Sequence, residues 1–359
     1  MDPQMIVIGT GISGSKRKEY LEKLAAEATK ADKPTKLLHV GSMMFETAKR
    51  LGKEIPENKI LDMSSSTLNY LRATVFEQIV AEAKSQENLI ISTHACFRWK
   101  KNLIPAFDFH YLNQLSPDIF LTITDEVQAI KARLEKQSAW KEKFSLKELL
   151  VWRDEEVFIT NMIANYQGVH NYIITNKHPT QETFNLVFKP DVKKAYISYP
   201  MTFMKQYPAK LRAKNRFRDN LRKRGLVIFD PADVEEMDLI GFAETAKKKG
   251  KEEITIKLNG KKGQIDVSEI DEAREDIIDQ TVDRDYRLIA QSDFVIVYYP
   301  VPVLSAGVLC EMVYGFTNNK NVFAFFPERL SPFFEYHATK IFKTEQEMIK
   351  YFESEGIIE

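Results

Sequence analysis

The chain alternates short apolar runs with longer stretches of helical period. Apolar runs fall at Met5–Ile8, Lys36–Val40, Asn88–Ser92, Asp118–Thr124 and Asn171–Thr175. Between them lie charged segments with helically spaced apolar positions: Lys16–Lys30, Met43–Leu51, Thr67–Lys84, Glu126–Lys136 and Leu146–Ala164. Strands separated by helices predict a parallel sheet covered on both faces, because parallel neighbours need a crossover and its helix packs on the sheet. The rhythm pauses at the turn cluster Asn176-Lys-His-Pro179, a further short helix, and Lys189-Pro190-Asp191, which reads as a linker. It resumes with strand Lys194–Ser198, basic helix Lys210–Lys223 and strand Leu226–Phe229. Strands Phe294–Tyr299 and Asn321–Phe326 then flank the segment Ser305–Phe316. A last helix starts at Thr344, with Glu347 at capping-box spacing and Met348, Tyr351 and Phe352 as its apolar face.

One stretch departs from this rhythm. Residues 253–267 alternate in twos around Asn259-Gly260, which predicts a β-hairpin insert. The expected architecture is therefore α/β: two doubly wound parallel-sheet domains at residues 1–188 and 189–359, with an insert at about 232–281 in the second. A length of 359 residues agrees with two domains at roughly 150 residues each.

Charge narrows the function classes. Fifty-one basic residues balance fifty-one acidic ones, which excludes a nucleic-acid binder driven by bulk charge. The two cysteines, Cys96 and Cys310, make neither a disulfide framework nor a four-cysteine zinc site, so a reducing cytoplasm is the expected location and no metal cluster is expected. Apolar runs are strand-length and no basic segment precedes an apolar one at the N-terminus, so neither a membrane span nor a signal peptide is expected.

Two segments carry candidate chemistry. The first is Gly9-Thr-Gly-Ile-Ser-Gly-Ser-Lys-Arg17, between a strand and a helix. Such a turn bares backbone N–H groups to an anion, and the helix N-terminus adds positive potential. Against the phosphate-loop pattern G-x-x-x-x-G-K-[ST], Gly9 and Gly14 have the right spacing, but Ser15 separates Gly14 from Lys16. If Lys16 takes the lysine position, Ser15 stands where glycine belongs. In either alignment no Ser or Thr follows the lysine. Gly9, Gly11, Gly14, Ser15, Lys16 and Arg17 are the candidate phosphate-binding residues.

The second is Asp283–Tyr299 followed by Leu304-Ser-Ala-Gly-Val-Leu-Cys-Glu311. Ser305-Ala-Gly307 opens a helix after a strand, and Glu311 stands on an otherwise apolar segment. A carboxylate there is costly unless it has a partner or a task. A carboxylate near an anion site suits cleavage of an N-glycosidic bond, one carboxyl trapping C1′ and a second protonating the leaving base.

Further along the first half, His39–Gly52, Arg72 in Asn69-Tyr-Leu-Arg, Ile91-Ser-Thr-His-Ala95, Leu115-Ser-Pro-Asp-Ile119 and Trp152-Arg-Asp154 keep a consistent order. Together with the glycine loop they resemble the archaeal-type adenylate kinases over roughly residues 4–188. The resemblance implies a P-loop kinase-like fold, bound ATP and Mg2+, and nucleotide contacts from Arg72, His94 and Arg153. It departs at Ser92, which stands in place of an aspartate, and at Arg17, where Ser or Thr is expected. In the second half, Tyr196/Pro200/Met201, Asp285/Asp293 and Ser305/Gly307/Glu311 resemble the nucleoside 2-deoxyribosyltransferase family, including its 2′-deoxynucleoside 5′-monophosphate N-glycosidases, over roughly residues 193–327. That resemblance implies a Rossmann- or flavodoxin-like fold and Glu311 as nucleophile. Asp285 would be the acid or base, Ser305 and Gly307 the 5′-phosphate site, and Tyr196 or Tyr199 the group that orients the carboxylate. Ser198, Met201 and Asp293 join the expected substrate contacts. The long segment between Asp230 and Thr281 departs from this family.

The expectation is an enzyme of nucleotide metabolism, acting on the N-glycosidic bond of (deoxy)nucleoside 5′-monophosphates through Glu311, with a nucleotide-binding kinase-like half. Its alternatives are a nucleoside monophosphate kinase and a nucleotide sensor without turnover. Small-molecule nucleotides are the expected partners, and both resemblances imply a homo-oligomer.

Overall fold

The computed structural model describes residues 4–100, 102–258, 261–328 and 331–359. Its strands in chain order are β1 (Met5–Thr10), β2 (Thr35–His39), β3 (Asn88–Ser92), β4 (Cys96–Trp99), β5 (Asn102–Pro105), β6 (Ile119–Thr124), β7 (His170–Thr175), β8 (Lys194–Ser198), β9 (Val227–Phe229), β10 (Glu253–Leu258), β11 (Lys261–Asp266), β12 (Phe294–Tyr298), β13 (Asn321–Phe325) and β14 (Lys340–Phe342). Two five-stranded sheets form, in the orders β2-β3-β1-β6-β7 and β14-β13-β12-β8-β9. Every pairing within them is parallel. Central strands are apolar on both faces and buried throughout, as in β3, β6 and β12, because helices cover both sides.

The chain divides into two compact units, residues 1–180 with 236–280 and residues 181–235 with 281–359. This corrects the expected division at 188/189. Helix Thr180–Phe188 goes with the second unit because its Glu182 accepts the Ile228 N–H at 2.8 Å and pairs with Arg222 at 2.8 Å. Burial pushes the Glu182 carboxyl up to about 7 despite those donors.

The insert also changes sides. Helix Met237–Lys248, the antiparallel β10–β11 ribbon and helix Val267–Glu272 are counted with the first unit, not the second. Leu239, Ile240, Ala243, Ile254, Ile265 and Ile270 share one buried cluster with Ile130, Leu134, Leu149 and Trp152. A two-stranded ribbon has too little apolar surface to stand alone, so it borrows that core. Its expected Asn259-Gly260 turn lies outside the described residues.

β1 passes into the glycine loop through Gly11, which holds φ +145°; an added Cβ there would lie 2.3 Å from the Ile123 carbonyl oxygen. We predict that Gly11→Ala lowers unfolding stability by about 1–3 kcal/mol, read as a drop of several degrees in thermal melting; an unchanged melt would contradict this geometry.

Candidate functional site

In the first unit, helix Arg17–Lys30 follows β1, and Lys16 is its N-cap residue with φ 61°, the left-handed conformation. That conformation fits a position usually held by glycine. The structure therefore selects a register not considered from sequence: Gly11 opens the loop, Lys16 takes the glycine position, Arg17 the lysine position and Lys18 the Ser/Thr position. Arg17 reaches back as the loop's cation. Its guanidinium donates to the Gly11 carbonyl and, at 3.1 Å, to the Ser92 hydroxyl. Gly14, at φ +83°, accepts Arg133 Nε at 2.5 Å through its carbonyl. Among the described residues the buried Ser15 hydroxyl has no hydrogen-bond partner. Gly9 does not face the loop: it pairs in β1 with Ser92 and Leu121, and an added Cβ would strike Leu21 at 2.3 Å.

Sequence reasoning missed the group that ties this loop down. Glu156, on helix Leu146–Gln167 and 1% exposed, accepts the N–H groups of Gly11 and Ala95 at 2.8 Å and Cys96 at 2.9 Å. Burial raises its pKa, while those donors and Arg17 oppose the rise. Its position was legible in one respect, since it lies on the buried stripe of Leu149, Trp152, Arg153 and Thr160.

A cavity of about 390 Å³ opens beside the loop, lined among others by Arg17, Arg72, His94, Phe45, Phe97 and Trp140. Arg72 is held by Asn69 Oδ1 at 3.1 Å. His94 packs tilted against Phe97 at 4.2 Å, and among the described residues its buried Nδ1 has no partner. Burial, then Arg17, holds its pKa well below the usual value, so the ring is neutral. The structure thus brings Arg17, Arg72 and His94 together, in a concave site with flat apolar walls and two cations.

Arg153 is not among them. It forms a two-pronged pair with Glu236 of the insert, at 2.6 and 2.8 Å, and also donates to Gln280 Oε1 at 2.8 Å and to the Asp125 carbonyl at 3.0 Å. The expected phosphate contact is occupied by an internal carboxylate. Glu236 also accepts the Val127 N–H at 2.6 Å.

The fit of Mg2+ is tested by the donors around the loop. Lys18 stands where a metal-binding hydroxyl is needed and Ser92 where a carboxylate is needed, with its hydroxyl held by Arg17. Asp125, which follows β6, pairs with Arg133. Among the described residues no group of three or more His, Cys, Asp or Glu is placed to hold a metal. These residues do not fit the ion that the kinase resemblance implies.

In the second unit, β8 ends on Ser198 and helix Ala306–Thr317 carries Glu311 across from it. The half-buried Glu311 carboxylate accepts Tyr196 Oη at 3.0 Å and the Ser198 hydroxyl. Burial, reinforced by the Asp285 charge, pushes it up to about 8, while the two hydroxyls pull the other way. Asp285 is raised by burial too, against the pull of Arg284, which donates to it at 3.2 and 3.3 Å. Of the two tyrosines, Tyr196 is the one bonded to Glu311. Tyr199 lies instead under Lys214 Nζ at 3.9 Å. Lys214, on helix Pro208–Lys223, is fully buried and bonds Asp230 at 2.7 Å, joined by Arg218 at 2.6 Å; Arg212 and Arg216 of that helix are exposed. Asp293 is corrected from substrate contact to strand anchor: it accepts the Lys194 N–H at 2.8 Å, at the opposite end of β8 from Ser198. The Ser305 N–H is engaged by Tyr299 Oη at 2.7 Å, its side chain makes no cap bond, and Gly307 is exposed. Met201 is half-buried and opens the short helix after β8.

The loop, its cavity and the comparisons define the first unit as a nucleotide-binding P-loop kinase-like domain. An AAA domain family matches residues 10–148. The adenylate kinase of Methanococcus vannielii is 23% identical over 165 residues, 46% of this chain and 83% of that protein. That of Methanocaldococcus jannaschii is 23% identical over 159 residues, 44% of this chain and 81% of that protein. The shikimate kinase structure from Bacteroides thetaiotaomicron covers 51% of this chain and 95% of that one at 11% identity, with a TM-score of 0.33, too loose a likeness to bear on chemistry. These findings favour phosphotransfer relatives and give no support to the deoxyribosyltransferase resemblance. No helix among the described residues is long and apolar enough to cross a membrane.

Because Glu236 is buried against Arg153, we predict that Glu236→Ala destabilises the first unit by about 3–5 kcal/mol, the cost of stranding a buried cation; chemical denaturation monitored by tryptophan fluorescence measures it.

Proposed function

We propose that this chain is a nucleotide-metabolism enzyme whose kinase-like unit binds a nucleotide and whose second unit acts on the N-glycosidic bond of a nucleoside 5′-monophosphate. The observation that carries the second part is Glu311, held by Tyr196 and Ser198 and facing the charge of Asp285. An ionised Glu311 attacks C1′ as the C1′–N bond breaks. The Asp285 carboxyl gives its proton to the departing base, and water then hydrolyses the glycosyl ester. Two carboxyls raised together share a proton, and the reaction draws on the form in which Asp285 holds it and Glu311 is charged. Ser305 and Gly307 are the proposed 5′-phosphate contacts, with Met201 near the sugar and base. The relation of the two units to a shared ligand, and a homo-oligomeric state, belong to the same proposal.

Chromatography of a nucleoside monophosphate panel tests this. We expect base release by the wild type and a loss of about a thousandfold or more in Glu311→Ala; equal release by both, or none by either, removes the proposal. Since Glu311 must be ionised while Asp285 keeps a proton, the rate passes through a maximum with pH, and Glu311, raised by burial and the Asp285 charge, sets the rising limb. Ser198→Ala removes a hydrogen bond that favours the charged form, so the rise moves to higher pH.

The adenylate kinase relatives support a second reading, phosphoryl transfer from ATP to a nucleoside monophosphate in the Arg17–Arg72 cavity. ADP formed from ATP and AMP, and abolished in Arg17→Ala, would establish it over glycosidic chemistry.

A further inference from the structure

We infer that the P-loop of the first unit takes nucleotide phosphate without a divalent cation. This rests on the proposed reading that the unit binds a nucleotide. Phosphate loops of this pattern place a hydroxyl directly after the loop lysine to ligate Mg2+, and a nearby carboxylate holds the ion's shell. In the register set by Lys16 at φ 61° and Arg17 at the helix start, that hydroxyl position is Lys18. Lys18 is exposed and its ammonium has no lone pair to offer a divalent ion. The second point of contact, at the end of β3, is Ser92, and its hydroxyl is already bonded to Arg17 Nε at 3.1 Å.

Two neighbouring carboxylates are already engaged. Asp125 pairs with Arg133, and Glu156 is committed to the Gly11, Ala95 and Cys96 amides. The loop instead gathers cations in sequence, Lys16, Arg17 and Lys18. Arg17 presents a planar fork suited to phosphate oxygens. The Ser15 hydroxyl, 1% exposed and unpartnered among the described residues, gives the loop a further polar group. Charge neutralisation that a kinase loop draws from lysine plus metal is supplied here by side chains alone.

Calorimetric titration of the full chain with ATP and with AMP, once in excess EDTA and once in millimolar Mg2+, tests this. The expected result is the same Kd in both buffers within about twofold. Arg17→Ala should weaken binding at least tenfold in EDTA, and Arg17→Lys, which keeps the charge but loses the fork, should recover only part of it; unchanged binding in Arg17→Ala overturns the inference, and a thermal melt checks that both variants fold. The double variant Lys18→Thr with Ser92→Asp should bind ATP at least tenfold more tightly with Mg2+ than without, and indifference to Mg2+ would overturn the assignment of those positions. Wild-type binding that tightens tenfold or more with Mg2+ overturns the inference and leaves nucleotide binding intact. No heat in either buffer overturns the nucleotide-binding reading, and the inference with it.

Discussion

Glu156 holds the first unit's chemistry in place by a single constraint. A carboxylate removed from water must be met by donors, at a cost of several kcal/mol if it is not. Its donors are the amides of Gly11, Ala95 and Cys96, so one side chain on helix Leu146–Gln167 ties the start of the phosphate loop to the segment after β3. His94 and the Arg17 partner Ser92 lie within that segment or at its edge, so the same carboxylate anchors the backbone that carries His94, while Arg72 is held separately by Asn69. The demand works in both directions: Glu156 lacks full solvation without the loop amides, and the loop amides lack a partner without Glu156.

The second unit meets the same demand in a different way at two points. Asp230 is fully supplied by Lys214, Arg218 and the Ala232 amide, which keeps it ionised, and its pKa is held low. Glu311 receives only two hydroxyls and faces Asp285, so its charge is poorly compensated. An undersupplied carboxylate is a weak structural element and a reactive one. That contrast, within one unit and one kind of side chain, separates the Lys214 cluster as scaffold from Glu311 as the proposed reacting group.

Much of the fold was legible because parallel strands buried on both faces are continuous apolar runs. β3, β6, β7 and β12 lie where those runs predicted them. β14, only Lys-Ile-Phe, and the β4–β5 hairpin, broken by Arg98 and Lys100, carry no such run and escaped. The hairpin insert was visible from its alternation. Its allegiance to the first unit was not, because that depends on which core offers it an apolar face. In the second unit, spacing on one strand and one helix brought Tyr196, Ser198 and Glu311 together. In the first, the register of the loop was hidden by Lys16, whose left-handed backbone puts a lysine where the pattern expects glycine.

The insert has a chemical consequence beyond its packing. Phosphoryl transfer depends on cations positioned around the transferring phosphate. Glu236 instead fixes Arg153 with two short bonds and uses the same carboxylate to bond the Val127 amide. Releasing Arg153 toward a ligand would therefore strip the buried Glu236 carboxylate of two charge-assisted hydrogen bonds. The arginine is held as structure, which leaves Arg17 and Arg72 as the cations that line the cavity among the described residues.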